Sequence, residues 1–441
     1  FYKYGQFLNP HDFYHYYIGS KYDRELGTFD MYKATLLADR EGARAYKERL
    51  IRNLENHSMM SAQEGLEDAR GVKERFSEAR WAEFCKDIRF FQEMESSTQW
   101  QRVLQDKGYN ATPVWNATAG LMTKRIPTDS KTGITFLLAL DIILLVVMFA
   151  LVYAAFGWET VAFGIVLCGA NFMMSFTHGR GSILRFDWFA LVVMALCLVR
   201  LGGYKTAGGF IAYAALSRIF PRIFVFGIGG KFVWDFLKTR RFKREYLAFF
   251  VSFSVTAAAL VLVAAAIEGG FARWGEFFHK IGVHNSDISY QRLGFKYIFL
   301  DVFKQGPAAF QQHQALWWSI QVGVLVLCLY LVRNIEDYEA IAFGMAPVFF
   351  LVAPTFYYYA MLIIPFFFFA PKLERLTRAT GLAMMFGVSL IAYVVHRTTP
   401  FSPRLFMTIT YSLFAVVLYM MVLCLHESLV GRKEIAVQEE S

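Results

Sequence analysis

The sequence predicts an all-α, polytopic membrane protein, and three observations lead there. Of 441 residues, 56% are hydrophobic and only 18% charged, where soluble domains average roughly 45–50% and about 25%. The apolar residues gather into long runs, and the loops between the runs collect Lys and Arg, the pattern of positive-inside loops. The 45 Phe and 23 Tyr exclude a disordered or fibrous chain.

The chain divides into three parts: a polar stretch of mixed charge at 1–132, a ladder of apolar runs at 133–426 and a short polar tail at 427–441. The first run, ITFLLALDIILLVVMFALVYAAFG at 134–157, rises roughly 36 Å as a helix, enough to cross ~30 Å of hydrocarbon. Further runs lie near 160–177, 186–203, 206–219, 221–237, 246–267, 316–333, 340–354, 356–371, 381–396 and 404–426. That makes about eleven apolar segments, several shorter than the ~18 residues of an ordinary span.

Loop charge sets the expected orientation. The cluster Lys238, Arg240, Arg241, Lys243 and Arg244 should be cytoplasmic. Alternation then brings Arg200, Lys205, Lys372, Arg375, Arg378, Arg432 and Lys433 to the same side. It leaves 1–132, 178–185, 268–315 and 397–403 extracytoplasmic. These clusters account for the net charge of +9. No single basic face is left for nucleic acid, which is not an expected partner. The five cysteines show no CxxC spacing, so neither a disulfide framework nor a metal knuckle is indicated.

Residues 30–106 read as amphipathic helix. Phe76, Trp81, Phe84, Ile88 and Phe91 recur at helical steps, and the expectation is a helical hairpin lying on the outer membrane face or on a protein partner.

The groups that carry chemistry follow in order. NPHDFYHYYIGSKYDRELGTFDMY at 9–32 sets His11, Asp12 and His15 among tyrosines. A carboxylate there can serve as a general base, and the alternative is an interfacial aromatic belt. HGRGSILRFDW at 178–188 brings Arg180 and Arg185 to a membrane edge with Asp187. Guanidinium forks suit phosphate, and the alternative is snorkelling arginines. Arg218, just before Pro221, is an ionisable group in an apolar run and therefore a functional candidate. The loop at 275–299 offers His284 and Asn285 for sugar hydroxyls, or an amphipathic lid. His279 and His284 are five apart, off the spacing that favours zinc. Tyr357 and Tyr358 stand near the outer end of a run. Asp141, inside the first run, needs a partner if buried.

In pattern the chain resembles the GT-C superfamily of membrane glycosyltransferases, nearest to bacterial polyprenyl-phosphate-mannose-dependent mannosyltransferase-like proteins. Matching pieces are Asp12-Phe13-Tyr14-His15-Tyr16 with Gly27 and Met31-Tyr32, the aromatic-Pro turn in GYNATPVWNATAG at 108–120, and Ala207-Gly208-Gly209 followed by Ser217-Arg218-Ile219-Phe220-Pro221. Gly179-Arg180-Gly181-Ser182 departs from the Gly-Gln-x-Asn-type element of that branch, and Arg218 stands where Lys is commoner. The resemblance implies a further span before Phe1 and an inverting transfer of a mannose-like sugar from a polyprenyl-phosphate donor at the outer face of a bacterial inner membrane. Asp12 would be the base. His11, His15, Arg180, Arg185, Arg218, His284, Asn285, Tyr357 and Tyr358 would bind substrate. No metal ligands are assigned, and neither cofactor nor divalent metal is required. The rival expectation is a non-catalytic membrane subunit whose residues 30–106 dock a partner. A transporter is disfavoured because no repeated halves are visible.

Overall fold

A computed structural model describes residues 8–176, 181–286, 288–304 and 306–439, with the backbone alone for 175, 176 and 430–439. The apolar runs are built mainly of helix. Among the described residues, five helices are long and apolar enough to cross a membrane: Lys131–Phe156, Arg244–Glu268, Gln314–Asn334, Leu376–Thr398 and Pro403–Leu429. Their outward side chains, among them Val146, Val255, Leu262, Val326 and Leu390, are exposed. Such a continuous apolar exterior suits hydrocarbon and suggests a membrane protein. The other runs fold as shorter or broken helices. Trp158–Ala170, Asp187–Arg200, Tyr204–Ser217 and Val225–Thr239 have 13 to 15 residues and reach roughly 20–22 Å. The 340–354 run divides into Asp337–Phe343 and Met345–Leu351. The next begins as a 3-10 turn, Phe356–Leu362, before Ile363–Phe369.

Two hydrophobic cores meet on one helix. The larger threads the bundle and contains the row Phe366 to Phe369. The smaller is drawn mainly from the first 126 residues and takes in Ile134, Leu137 and Leu138, with Ile183 and Leu184 from a distant turn. Met148 and Val152, farther along the same Lys131–Phe156 helix, belong to the larger core. That helix therefore fixes the N-terminal region to the bundle.

The N-terminal region corrects one expectation. It is not a plain helical hairpin. Short strands Leu50–Arg52 and Met59–Ser61 pair antiparallel between the helices Met31–Glu41 and Ala62–Lys73. Asn side chains make the turn: Asn53 Oδ1 accepts from the Glu55 amide and Asn56 Oδ1 from the Ser58 amide, each at 2.9 Å. Strands of three residues are too short to show period-2 patterning. The apolar stripe is buried inside the chain itself. Phe91, on the Glu78–Met94 helix, stacks at 5.6–5.9 Å on Tyr14 and Tyr17 of the Pro10–Lys21 helix.

At the far end of the bundle, ion pairs gather the ends of several segments. Arg200 meets Glu336 at 2.6 Å, Lys372 meets Glu339 at 2.8 Å, and Arg378 meets Glu339 at 3.2 Å and Glu427 at 2.8 Å. Residues 200, 336–339, 372–378 and 427 thus share one end. The N-terminal region, with the turns near 185, 218, 268 and 355, occupies the other.

Candidate functional site at the N-terminal end of the bundle

The site is organised by the Pro10–Lys21 helix, which starts with Pro in its first turn, where its missing N–H costs nothing. Helical spacing sends Asp12 and Tyr16 to one face and His11 and His15 to another.

On the first face, buried Asp12 lies 3.7 Å from Arg185 Nη2. Arg185 also donates to the Tyr16 hydroxyl. Its guanidinium sits 4.6 Å from the Tyr16 ring centre and 5.7 Å from that of Tyr357. The turn carrying Arg185 is held by Asp141, whose two carboxylate oxygens accept the amides of Arg185 and Phe186 at 3.0 and 2.9 Å. The acid inside the first span has found its partner in backbone.

Arg218 follows the end of the Tyr204–Ser217 helix in extended backbone. Thr112 fixes that end: its hydroxyl donates to the Leu216 carbonyl at 2.5 Å and accepts the Trp115 amide at 3.1 Å, capping the Pro113–Thr123 helix. Arg218 is buried beside the rings of Trp115 and Tyr16, at 5.3 and 5.9 Å. Its Nη1 donates to the Ser217 carbonyl at 2.7 Å. Among the described residues its Nη2 has no hydrogen-bond partner and no carboxylate forms an ion pair with it.

Arg218, Tyr357 and Tyr358 line a cavity of about 670 Å³ and also, with Arg185, a small crevice behind it. The cavity wall carries two further cations, Arg292 and Lys296, and no Asp or Glu among the described residues. Phe220, Phe277, Phe310 and Trp317 supply apolar surface, and Trp318, on the rim, is 58% exposed toward the apolar exterior. Gly294 adopts φ +147°, and a Cβ there would lie 2.6 Å from the Val352 carbonyl. Only glycine allows this approach, which lets Arg292 bridge to Thr355.

The Ala272–Ser286 helix covers one side of the cavity through Phe277, Ile281, His284 and Asn285. Its Lys280 is fully buried, and Nζ donates to the carbonyls of Tyr109 at 2.6 Å and Thr28 at 3.1 Å. Burial pushes this ammonium down to about 7, and the charge of Asp106 only partly opposes the shift. The same helix is tied to the N-terminal region by the Thr28 hydroxyl, which donates to Glu276 at 2.7 Å, and by Arg273, which donates to the Asp23 carbonyl at 3.0 Å.

On the second face, His11 Nε2 lies 3.0 Å and His15 Nε2 3.4 Å from the Asp106 carboxylate, beside the Tyr32 hydroxyl. Burial alone would lower His11, but Asp106 raises it to about 9. Burial would raise Asp106, yet the two histidines hold it well below the usual carboxylate range.

The expected residues therefore fall into groups. Arg185, Arg218, Tyr357 and Tyr358 converge, and His284 and Asn285 face the same cavity. Asp12 touches Arg185 but does not line the cavity wall. His11 and His15 turn to Asp106, while Arg180 lies outside the described residues. Trp115 and Lys296 were not singled out, Tyr16 entered only within the matching stretch from Asp12, and Arg292 only as one of the polar residues of the 275–299 loop. Tyr16 and Trp115 look like ordinary interfacial aromatics in sequence, and Arg292 and Lys296 look like loop charges. Compared with known proteins, the chain matches no family model, no curated protein and no solved structure.

Proposed function

We propose that the chain transfers a mannose-like sugar from a polyprenyl-phosphate donor to an acceptor hydroxyl at the extracytoplasmic face of a bacterial inner membrane, in a bundle of about eleven apolar segments. One observation carries the reading: a cavity of about 670 Å³ whose described lining has three cations, aromatic walls and no carboxylate, one of whose cations is a buried guanidinium with an unused donor. That combination suits an anionic amphiphile. The phosphate would take the guanidinium forks of Arg218 and Arg185, and the isoprenoid would leave past Trp318 toward lipid.

In the reaction, the acceptor oxygen attacks the anomeric carbon as the bond from that carbon to the phosphate oxygen breaks, inverting the configuration. Asp12 takes the acceptor proton. The lipid phosphate departs with the bonding pair, stabilised by the arginines. Arg185 stands between Asp12 and the cavity, so the reading requires it to turn from the carboxylate to the arriving phosphate. Its 3.7 Å separation from Asp12 is longer than a hydrogen bond, and the arriving phosphate has to replace both this buried pairing and the contact with the Tyr16 hydroxyl. His284, Asn285, Tyr357 and Tyr358 would contact sugar or phosphate.

The test is transfer from a radiolabelled polyprenyl-phosphate sugar in membrane vesicles. Asp12→Asn should fold and lose transfer. Arg218→Gln should cost far more than Arg218→Lys, which keeps the charge. Normal turnover by Asp12→Asn ends the base assignment. Unchanged donor use by Arg218→Gln removes the phosphate site and returns the chain to the non-catalytic subunit reading.

A further inference from the structure

We propose that His11, His15 and Asp106 form a binding site for a divalent cation of the zinc class, independent of the sugar-transfer reading. The three ligand atoms lie within 4.8 Å of one another, with carboxylate-to-imidazole separations of 3.0 and 3.4 Å. A tetrahedral zinc with bonds of ~2.0–2.1 Å sets its ligands roughly 3.3 Å apart. His11 and His15 sit one helical turn apart on the same helix, so the backbone presents both imidazoles to a single point.

The proton count favours a cation. A carbonyl only accepts, so the 2.7 Å contact of His15 Nδ1 with the His11 carbonyl fixes the proton on Nδ1. With Nδ1 holding the single proton of an imidazole free to bind metal, Nε2 is the acceptor. It faces the Tyr32 hydroxyl at 2.7 Å and the Asp106 carboxylate at 3.4 Å. The same hydroxyl also meets that carboxylate, and its one proton serves two acceptors. A metal ion between Nε2 and the carboxylate removes the conflict, with the Nδ1 contact as the outer-shell hydrogen bond that metal-bound histidines commonly make. Two imidazoles and one carboxylate suit zinc-like ions rather than magnesium or calcium, which prefer all-oxygen shells. The side chains of His11 and Asp106 are about a third exposed, at 32% and 37%, which leaves room for a water as fourth ligand. Bound metal would pin the helix carrying Asp12 to the turn after Ser97–Val103.

The test uses the tag-free full chain, purified in detergent and stripped with a chelator. Calorimetric titration with Zn²⁺ should give one equivalent per chain, and Mg²⁺ should give none. His15→Ala and Asp106→Asn should abolish binding, Tyr32→Phe should weaken it about tenfold or more, and His284→Ala should leave it unchanged. Should the ligand variants misfold, Co²⁺ loading of the unaltered chain decides. Intense visible bands of a four-coordinate cobalt support the site, and the pale spectrum of hydrated cobalt overturns it. No stoichiometric Zn²⁺ uptake, or equal uptake by a folded Asp106→Asn chain, means that the proposal fails.

Discussion

At the scale of single residues, Asp141 shows how a costly group is made useful. A carboxylate inside an apolar run is tolerated only with partners, and here two backbone amides supply them. Those amides begin the Asp187–Arg200 segment and aim Arg185 at Tyr16 and Asp12. Asp141→Ala strands both amides, each at a cost of about 1–3 kcal/mol, whereas Asp141→Asn keeps an acceptor for one of them. Thermal unfolding in detergent should therefore rank the wild type above Asn and Asn above Ala. Equal midpoints for the two variants would remove the capping role. The need for a partner was legible in the sequence, because Asp141 stands alone among Leu and Ile. The partner was not, since its amides lie 44 and 45 positions away and every residue offers an amide. The second face of the Pro10–Lys21 helix repeats the lesson. The i, i+4 spacing of His11 and His15 is visible in the sequence, but Asp106 is 95 residues from His11 and looks like any loop acid.

Among the elements, the Tyr204–Ser217 and Arg244–Glu268 helices pack in close backbone contact. A Cβ on Gly208 would stand 2.2 Å from the Phe249 carbonyl oxygen, so the two backbones approach as only small residues permit. Gly208→Val must push the helices apart and carry Arg218, at the end of the same helix, away from Tyr16. The expected result is a loss of folded, monodisperse protein. Gly323→Ala, with nothing within 4 Å of its added carbon, should be neutral or slightly stabilising. Tolerance of Gly208→Val in size-exclusion chromatography and thermal unfolding would show that the contact is not needed. The helix covering the cavity makes a separate prediction through Lys280. Its folded value of about 7 lies below the ordinary 10.5, so between those pH values the unfolded chain binds more protons and stability rises with pH. Below about 7 the whole cost of burying the charge is present. Lys280→Met should flatten this rise, and parallel curves of unfolding midpoint against pH for wild type and variant would refute it. An amphipathic element within 275–299 was readable from its mixed polar and apolar composition. Its anchoring by a buried lysine was not, because lysine in a loop ordinarily reads as a solvated charge.

Across the whole molecule, the two ends are held by different means. The N-terminal end is covered by a second hydrophobic core and the far end by charge. The division into a polar first third and an apolar remainder was legible because hydropathy alone decides it. The broken helices were only partly so: Pro221 marks one break, and at the Gly344 split Pro347 has no N–H for the Phe343 carbonyl, while the close approach of Phe224, 2.8 Å from a Cβ placed on Gly344, has no signal in sequence. The charged end yields the sharpest global prediction. Arg378 is wholly buried, and Glu339 is 1% exposed. Lys372, the Arg378 guanidinium and the start of the Asp337–Phe343 helix all converge on that one carboxylate. Removing one partner of a buried pair costs about 3–5 kcal/mol, because the other charge is left uncompensated. Glu339→Gln leaves Arg378 with Glu427 alone and Lys372 with Glu336 alone. It should lower the unfolding midpoint markedly and loosen segments distant in sequence together, read as faster hydrogen exchange near 200, 337, 372 and 427. Arg200→Gln breaks only a half-exposed pair with Glu336, worth at most about 1 kcal/mol, and serves as the control. If the two substitutions shift the midpoint alike, the far end is held by apolar packing and the buried pairs add nothing to it.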